Sequence, residues 1–300
     1  MINHSKNQKG MALVVTLLAL VLITAMVVEF SYGVYTGTQN LYNWRDSQRL
    51  SIMAKSGINV SQRLLPDLVN GENFSYPAME FPVENPFDDF SGSVTVSIED
   101  EASKFYINSL INQRGEKNEI PYNLFRRLLK VLSLNERIAD RVLDWIDRDS
   151  TAEFPASEAG AKNSALLSVD ELLLINGISR EDYNILMPYV TVYGPKDNSL
   201  LVNINGAQKP VLMCLSEKID DELAQRVIEH RKIAPFERKD YLQNVKGFGD
   251  SNIYNPISSY IDVKGTFFHL KATASSGGVK RIIETVLNIS SGNIEYWKEY

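Results

Sequence analysis

The stretch KGMALVVTLLALVLITAMVVEF (residues 9–30) decides how the rest of the chain is read. Residues 11–28 run for eighteen positions without a charge, and only Thr16 and Thr24 are polar. As a helix they span roughly 27 Å at about 1.5 Å per residue, enough for a bilayer core. Lys6 and Lys9 precede the run, whereas the first charge after it is Glu29 and the first cation is Arg45. That asymmetry keeps the short leader in the cytoplasm and sends everything after Phe30 across the membrane. A cleaved secretory signal has an apolar core of only about 7–15 residues and small residues at its cleavage site. This run is longer and ends in bulky MVVEF, so it reads as an anchor.

Helical spacing continues beyond the run. No proline occurs between Ser31 and Pro66, and Val34, Leu41, Trp44, Ile58, Leu65 and Leu68 recur at helical intervals. The expectation is one helix of about 55–60 residues, roughly 85 Å long, membrane-spanning over 11–30 and amphipathic over 31–70.

The exported part carries strands at both ends. GSVTVSIEDEASKFYINSL, from Gly92, begins with an alternation that turns Val94, Val96 and Ile98 to one side. TFFHLKATA alternates Phe268, Leu270, Ala272 and Ala274, and KRIIETVLNI alternates Ile283, Thr285, Leu287 and Ile289. SSGG (residues 275–278) and SSGN supply the turns between these strands and the final IEYWKEY. One antiparallel sheet packed on the long helix accounts for them, with a helix-rich insertion between. The predicted class is α+β. Residues 71–110 hold the first part of the α/β domain, 111–260 an inserted all-α domain, and 261–300 the strands that complete the sheet.

Within the insertion, NLFRRLLKVLSL and ERIADRVLDWIDRD place apolar residues three and four apart. A partial repeat follows: SVDELLLINGISREDYNILMPYVTVYG, then DELAQRVIEHRKIAPFERKDYLQNVKGFG. Ser168 with Glu171 forms a capping box in the first copy. Each copy contains a glycine hairpin, at Gly177 and at Gly247 with Gly249, and both look like helix–hairpin–helix units. Such hairpins can hold a DNA backbone or simply turn the chain. Acidic residues beside both hairpins favour the second reading, with glycine supplying backbone freedom.

Composition narrows the function classes. The formal charge is −6, and removal of Lys6 and Lys9 takes it to −8, a poor balance for gripping nucleic acid or anionic lipid. The lone Cys214 forms no intramolecular disulfide, and His4, His230 and His269 are scattered. No nucleophile–base set, zinc pattern or phosphate loop is present, so no catalytic residues are assigned. DWIDRDSTAEFPASEAG gathers Asp144, Asp147, Asp149, Glu153 and Glu158, a carboxylate-rich segment of the kind calcium favours. Its spacing is not that of an EF-hand, and a solvated acidic loop is the competing reading.

A short basic leader ending in Gly10, an apolar run from the next residue and a continuing amphipathic helix resemble the prepilin signal of type IV pilins and type II secretion pseudopilins. The resemblance implies cleavage by a prepilin peptidase between Gly10 and Met11, with N-methylation of Met11. Two residues depart from that pattern: Met11 stands where Phe is usual, and Val15 where the family has Glu. A carboxylate there is costly in the bilayer unless it meets a cation. The family's Glu is thought to pair with the amine of the subunit ahead, so a chain with Val15 needs no subunit ahead of it.

Lack of that Glu is a mark of the minor pseudopilin K family (general secretion pathway protein K). VSIEDEASKFYINSL, and above all LLVNINGAQKPVL followed by AQRVIEHRKIAPFERKDYL, resemble passages of the same family. The resemblance implies a non-enzymatic minor pseudopilin at the tip of a periplasmic pseudopilus, capping the fibre and helping to start its assembly. It implies a single-pass bacterial inner-membrane protein with its C-terminal domain in the periplasm. Its partners would be other minor pseudopilins, the major pseudopilin and the prepilin peptidase, with no nucleic acid. No cofactor is required, although some family members bind calcium near the acidic loop. Here Lys162 and a shortened loop depart from their pattern, leaving Asp147, Asp149, Glu153 and Glu158 as the calcium candidates. The alternatives are a minor pilin of a type IV pilus or competence system, or a membrane-tethered helix–hairpin–helix DNA-binding protein.

Overall fold

The computed structural model describes residues 5–76, 78–148 and 160–300. It opens with one helix, α1 (Ser5–Gly71), 67 residues long and about 100 Å at helical rise. The helix is longer than expected because it also takes in leader residues on the N-terminal side of Gly10. The two hydroxyls of its apolar run are satisfied internally: Thr16 donates to the carbonyl of Leu13 at 2.9 Å, and Thr24 donates to that of Leu20.

Only the C-terminal third of α1 lies on the rest of the molecule. Its buried face steps through Leu50, Met53, Ala54, Ile58, Ser61, Leu65 and Val69. The expected face therefore needs correction. Ile58 and Leu65 are inward, but Leu68 is exposed beside buried Val69, and Val34, Leu41 and Trp44 are exposed because no sheet lies beneath them. At Gly57 the helix touches the sheet so closely that an added methyl would come 2.9 Å from Val96 Cγ2.

After α1 come β1 (Ala78–Val83) and β2 (Ser93–Asp100), and then the chain leaves the sheet. The excursion contains β3 (Phe105–Tyr106), α2 (Glu119–Val131), α3 (Ile138–Ile146), α4 (Arg180–Leu186) and β4 (Val190–Thr191). It continues with β5 (Val202–Asn203), α5 (Lys209–Cys214), α6 (Asp221–Ile233), α7 (Ser251–Ile257) and β6 (Ile261–Asp262). The chain returns in β7 (Phe267–Ser276), β8 (Val279–Asn288) and β9 (Asn293–Glu299).

The five-stranded sheet has the order β1-β2-β7-β8-β9, all antiparallel. Its inner face presents Val94, Val96, Ile98, Phe268, Leu270, Ala272, Ala274, Ile283 and Leu287 to α1. Each large side chain buried there contributes about 1.5–3 kcal/mol. The β7–β8 turn is tighter than expected: Ser275 and Ser276 pair within the strands, and only Gly277 and Gly278 turn, both at positive φ. Strand β1, which the sequence reading did not single out, alternates as well: Met79, Phe81 and Val83 are half-buried against the sheet core, and Ala78, Glu80 and Pro82 are exposed.

Pairing of β2 with β7 ends at Asp100 opposite Phe268, so the insertion occupies roughly residues 101–266. The expected limits of 111 and 260 fall inside it, because β3 and the buried turn after it (Ile107–Leu110) pack with the inserted helices. The insertion is two tandem units with one plan. Each opens with a short strand, passes through two helices, a 3-10 turn (Val169–Leu174 or Lys239–Asn244), a glycine hairpin and a helix, and closes with a strand. That strand pairs in parallel with the opener: Phe105 with Val190, and Val202 with Ile261.

One buried asparagine clamps each unit. Asn108 donates to the carbonyls of Leu166 and Val192 at 2.9 and 3.1 Å and accepts from the Leu166 amide at 2.8 Å. Asn205 donates to Phe236 and Val263 at 2.9 and 3.4 Å and accepts from the Phe236 amide at 2.7 Å. The repeat expected from sequence is thereby shifted: residues 169–178 correspond to 239–248, and α6 is the counterpart of α3.

Candidate assembly site

The features singled out in the sequence are spread along the molecule. Gly10, Met11 and Val15 lie on the free part of α1; Met11 is 69% and Val15 62% exposed, so neither is covered by the rest of the molecule. Among the described residues, α1 is the one helix long and apolar enough to cross a membrane. Beyond the bilayer-length run it continues with Leu41, Tyr42 and Trp44 exposed, then with Val60, Leu64 and Leu68 as a ridge beside the buried face. Exposed apolar residues at a spacing of four suit helix-to-helix packing.

The opposite end of the α/β body is closed by the insertion. The β1–β2 loop lies near the point where α1 leaves the body, tied there by Arg49 to Asp89 at 2.7 Å. The C-terminal end of α1 meets the insertion: Phe74 belongs to its core, and the Ser75 amide donates to the Val263 carbonyl at 3.0 Å. Asp100 holds the junction. It accepts from the Ser75 hydroxyl, from Asn203 Nδ2 at 2.8 Å and from the Ala102 amide at 2.8 Å. Ser75 Oγ in turn accepts from the Gly265 amide at 3.0 Å. Burial pushes the Asp100 carboxyl up to about 6, against the lowering effect of those donors. Neither Asp100 nor the asparagine clamps were legible as chemistry, although the paired runs FYIN and VNIN mark the clamps.

The hairpins have internal partners. Gly177 and Gly247 hold φ values of +86° and +108°, which need glycine, whereas Gly249 lies outside that region and simply precedes the Asp250 cap of α7. Arg141 donates from α3 to the Asn176 carbonyl at 2.6 Å, and Arg226 from α6 to the Lys246 carbonyl at 3.0 Å. Around them Asp182 caps α4 and Asp240 pairs with Arg238, so charge at the hairpins is mixed.

Asp144 and Asp147 are buried at the end of α3. Asp149, Glu153 and Glu158 lie outside the described residues, and among those described no three metal-type ligands form a group.

Two profiles of the family described as type II secretion system (T2SS), protein K match residues 103–196 and 202–264, the two tandem units, which together make up just over half of the chain. The chain belongs to the protein K family of type II secretion systems. It is similar to a type II secretion system protein K from Aeromonas hydrophila, at 27% identity over 94% of this chain and 93% of that one. It is also similar to a protein K from Pectobacterium carotovorum subsp. carotovorum, at 26% identity over 96% and 95%. In fold it resembles a chain of the crystal structure of the GspK-GspI-GspJ complex from the enterotoxigenic Escherichia coli type 2 secretion system. That match has a TM-score of 0.69 and 15% identity, covering 87% of this chain and 99% of that one. For a protein K chain, a long apolar helix on an antiparallel sheet is the pilin-like form of a minor pseudopilin. The insertion is the part that sets this one apart from a plain helix-on-sheet subunit.

Proposed function

We propose that this protein K is the tip subunit of a periplasmic pseudopilus, capping the fibre and helping to start its assembly. The observation that carries the reading is the place of the insertion. Both tandem units sit where α1 ends, at the pole of the sheet remote from the membrane helix. A subunit approaching along the fibre from that side would meet the insertion instead of a free sheet end. Val15 supports the same reading, since the apolar helix offers no carboxylate to the amine of a subunit ahead. The role is structural rather than catalytic. Other minor pseudopilins, of the kind named in the GspK-GspI-GspJ complex, would pack along α1 and the sheet, with the major pseudopilin below. The inner membrane would hold the chain until assembly, after a prepilin peptidase cuts between Gly10 and Met11.

Intact mass and N-terminal sequence of the membrane-extracted protein test the processing step. The expected chain begins at N-methylated Met11 only when the peptidase is active. A start at Met1 in its presence, or beyond Phe30, would refute the pilin-like reading. Calcium is part of the proposal on donor chemistry alone: Asp147 with Asp149, Glu153 and Glu158 would supply hard oxygen ligands. Calorimetric titration should give one calcium ion per chain, lost in Asp147→Asn; an unchanged titration in that variant would remove Asp147 from the set.

A further inference from the structure

Where the insertion meets the sheet, the molecule forms a half-open cavity of about 250 Å³. Three rings form its apolar wall: Tyr106 from β3, Tyr193 just after β4, and Phe267 at the start of β7. Tyr193 and Phe267 are stacked, with centroids 6.4 Å apart and planes inclined by 30°. Lys104, Lys196 and Lys264 also line it, and among the described residues no carboxylate does, although the chain as a whole carries −6.

The three cations differ in what they already hold. Lys104 pairs with Glu101 at 2.8 Å and Glu99 at 3.8 Å. Lys264 donates to the Glu72 backbone carbonyl at 2.9 Å, which leaves its charge uncompensated. Among the described residues, no ion pair is found for Lys264 or for the exposed Lys196. A concave apolar wall with a few convergent polar groups at a domain junction is the usual form of a ligand site. Two uncompensated ammonium groups at its edge specify the sign of the ligand.

We infer that this junction cavity is a binding site for an anion carried on a flat apolar body, an aryl group bearing a carboxylate. The ring lies against Tyr193 and Phe267, and the carboxylate reaches Lys196 and Lys264. The same chemistry is offered by an acidic–aromatic segment of a partner polypeptide and by a free aryl acid. Occupation would fill the seam between the sheet and the insertion, and so bind the two parts of the subunit together.

The test uses the full chain in detergent and fluorine NMR line broadening of N-acetyl-4-fluorophenylalanine, with its uncharged amide as control. The acid should bind, and both the amide and Lys196→Glu should weaken binding about fivefold, the order expected for one exposed charge contact. Lys264→Gln, which also keeps the rings intact, should weaken it in the same direction. Equal broadening of acid and amide, or wild-type affinity in both lysine variants, would overturn the assignment. So would broadening no greater than that in protein-free micelles. A second probe, N-acetyl-Glu-4-fluoro-Phe amide, separates the sources. Tighter binding of this peptide supports the site with a polypeptide occupant, and tighter binding of the free acid supports it with a small aryl acid.

Discussion

At Asp100 a single carboxyl holds three passages of chain, the end of α1 through Ser75, the exit from β2, and β5 through Asn203, and Ser75 Oγ adds a fourth, the return through Gly265. Its folded value of about 6 stands above the usual 3.8, so the folded state binds the proton more tightly. The stability this gives is fully present below about pH 4 and is lost as pH rises through about 6, to the extent of about 2–3 kcal/mol. His269, held below its usual value by burial, acts in the opposite sense, because it loses stability as pH falls. The difference between wild type and Asp100→Asn therefore isolates the Asp100 contribution. Melting temperatures from pH 4 to pH 7 should show wild type losing stability relative to the variant as pH rises, and parallel profiles would contradict this. Nothing in IEDEAS distinguishes Asp100 from its exposed neighbour Glu99 except strand phase; its distant partners are Ser75 and Asn203, far along the chain. Gly177 and Gly247, by contrast, were legible, since tight hairpins between helices need their positive φ.

Among the elements, those with an unbroken local period were plain in sequence: the apolar run of α1, the alternation of β2, β7 and β8, and the stripes of α2 and α3. The tandem units were only half visible. Their hairpins repeat in sequence, but their opening strands are two residues long and pair with partners more than fifty residues away, so no local period announces them. The asparagine clamps are what each unit shares. Asn108→Ala leaves three backbone groups without a buried partner, and Asn205→Ala leaves two, because the Val263 carbonyl keeps the Ser75 amide; the cost is about 1–3 kcal/mol for an unmet group. Each variant should lower the denaturation midpoint, Asn108→Ala by the larger amount, and hydrogen exchange should quicken mainly in its own unit. Loss of protection in neither unit would sink the equivalence. The helix face was misread at Leu68 and Trp44 for a different reason: apolar periodicity marks a face without saying what covers it.

Across the whole molecule, a helix of about 100 Å carries an α/β body near its end, and the insertion covers the far pole. The membrane-length run, the five-stranded sheet and the insertion thus lie in order along one axis. That order suits the proposed place at a fibre end, which would need apolar packing below and a pole above on which no subunit stacks. The long helix was readable because its chemistry is local. The polarity of the body was not, because it depends on β2 pairing with β7 across the whole insertion, Asp100 opposite Phe268. The most direct test is gold labelling of a tag at the C-terminus of this chain, viewed on isolated pseudopili by electron microscopy. The tip assignment predicts labels at one end of each fibre, one per fibre, and none along the shaft. Labels spaced regularly along the shaft would contradict it.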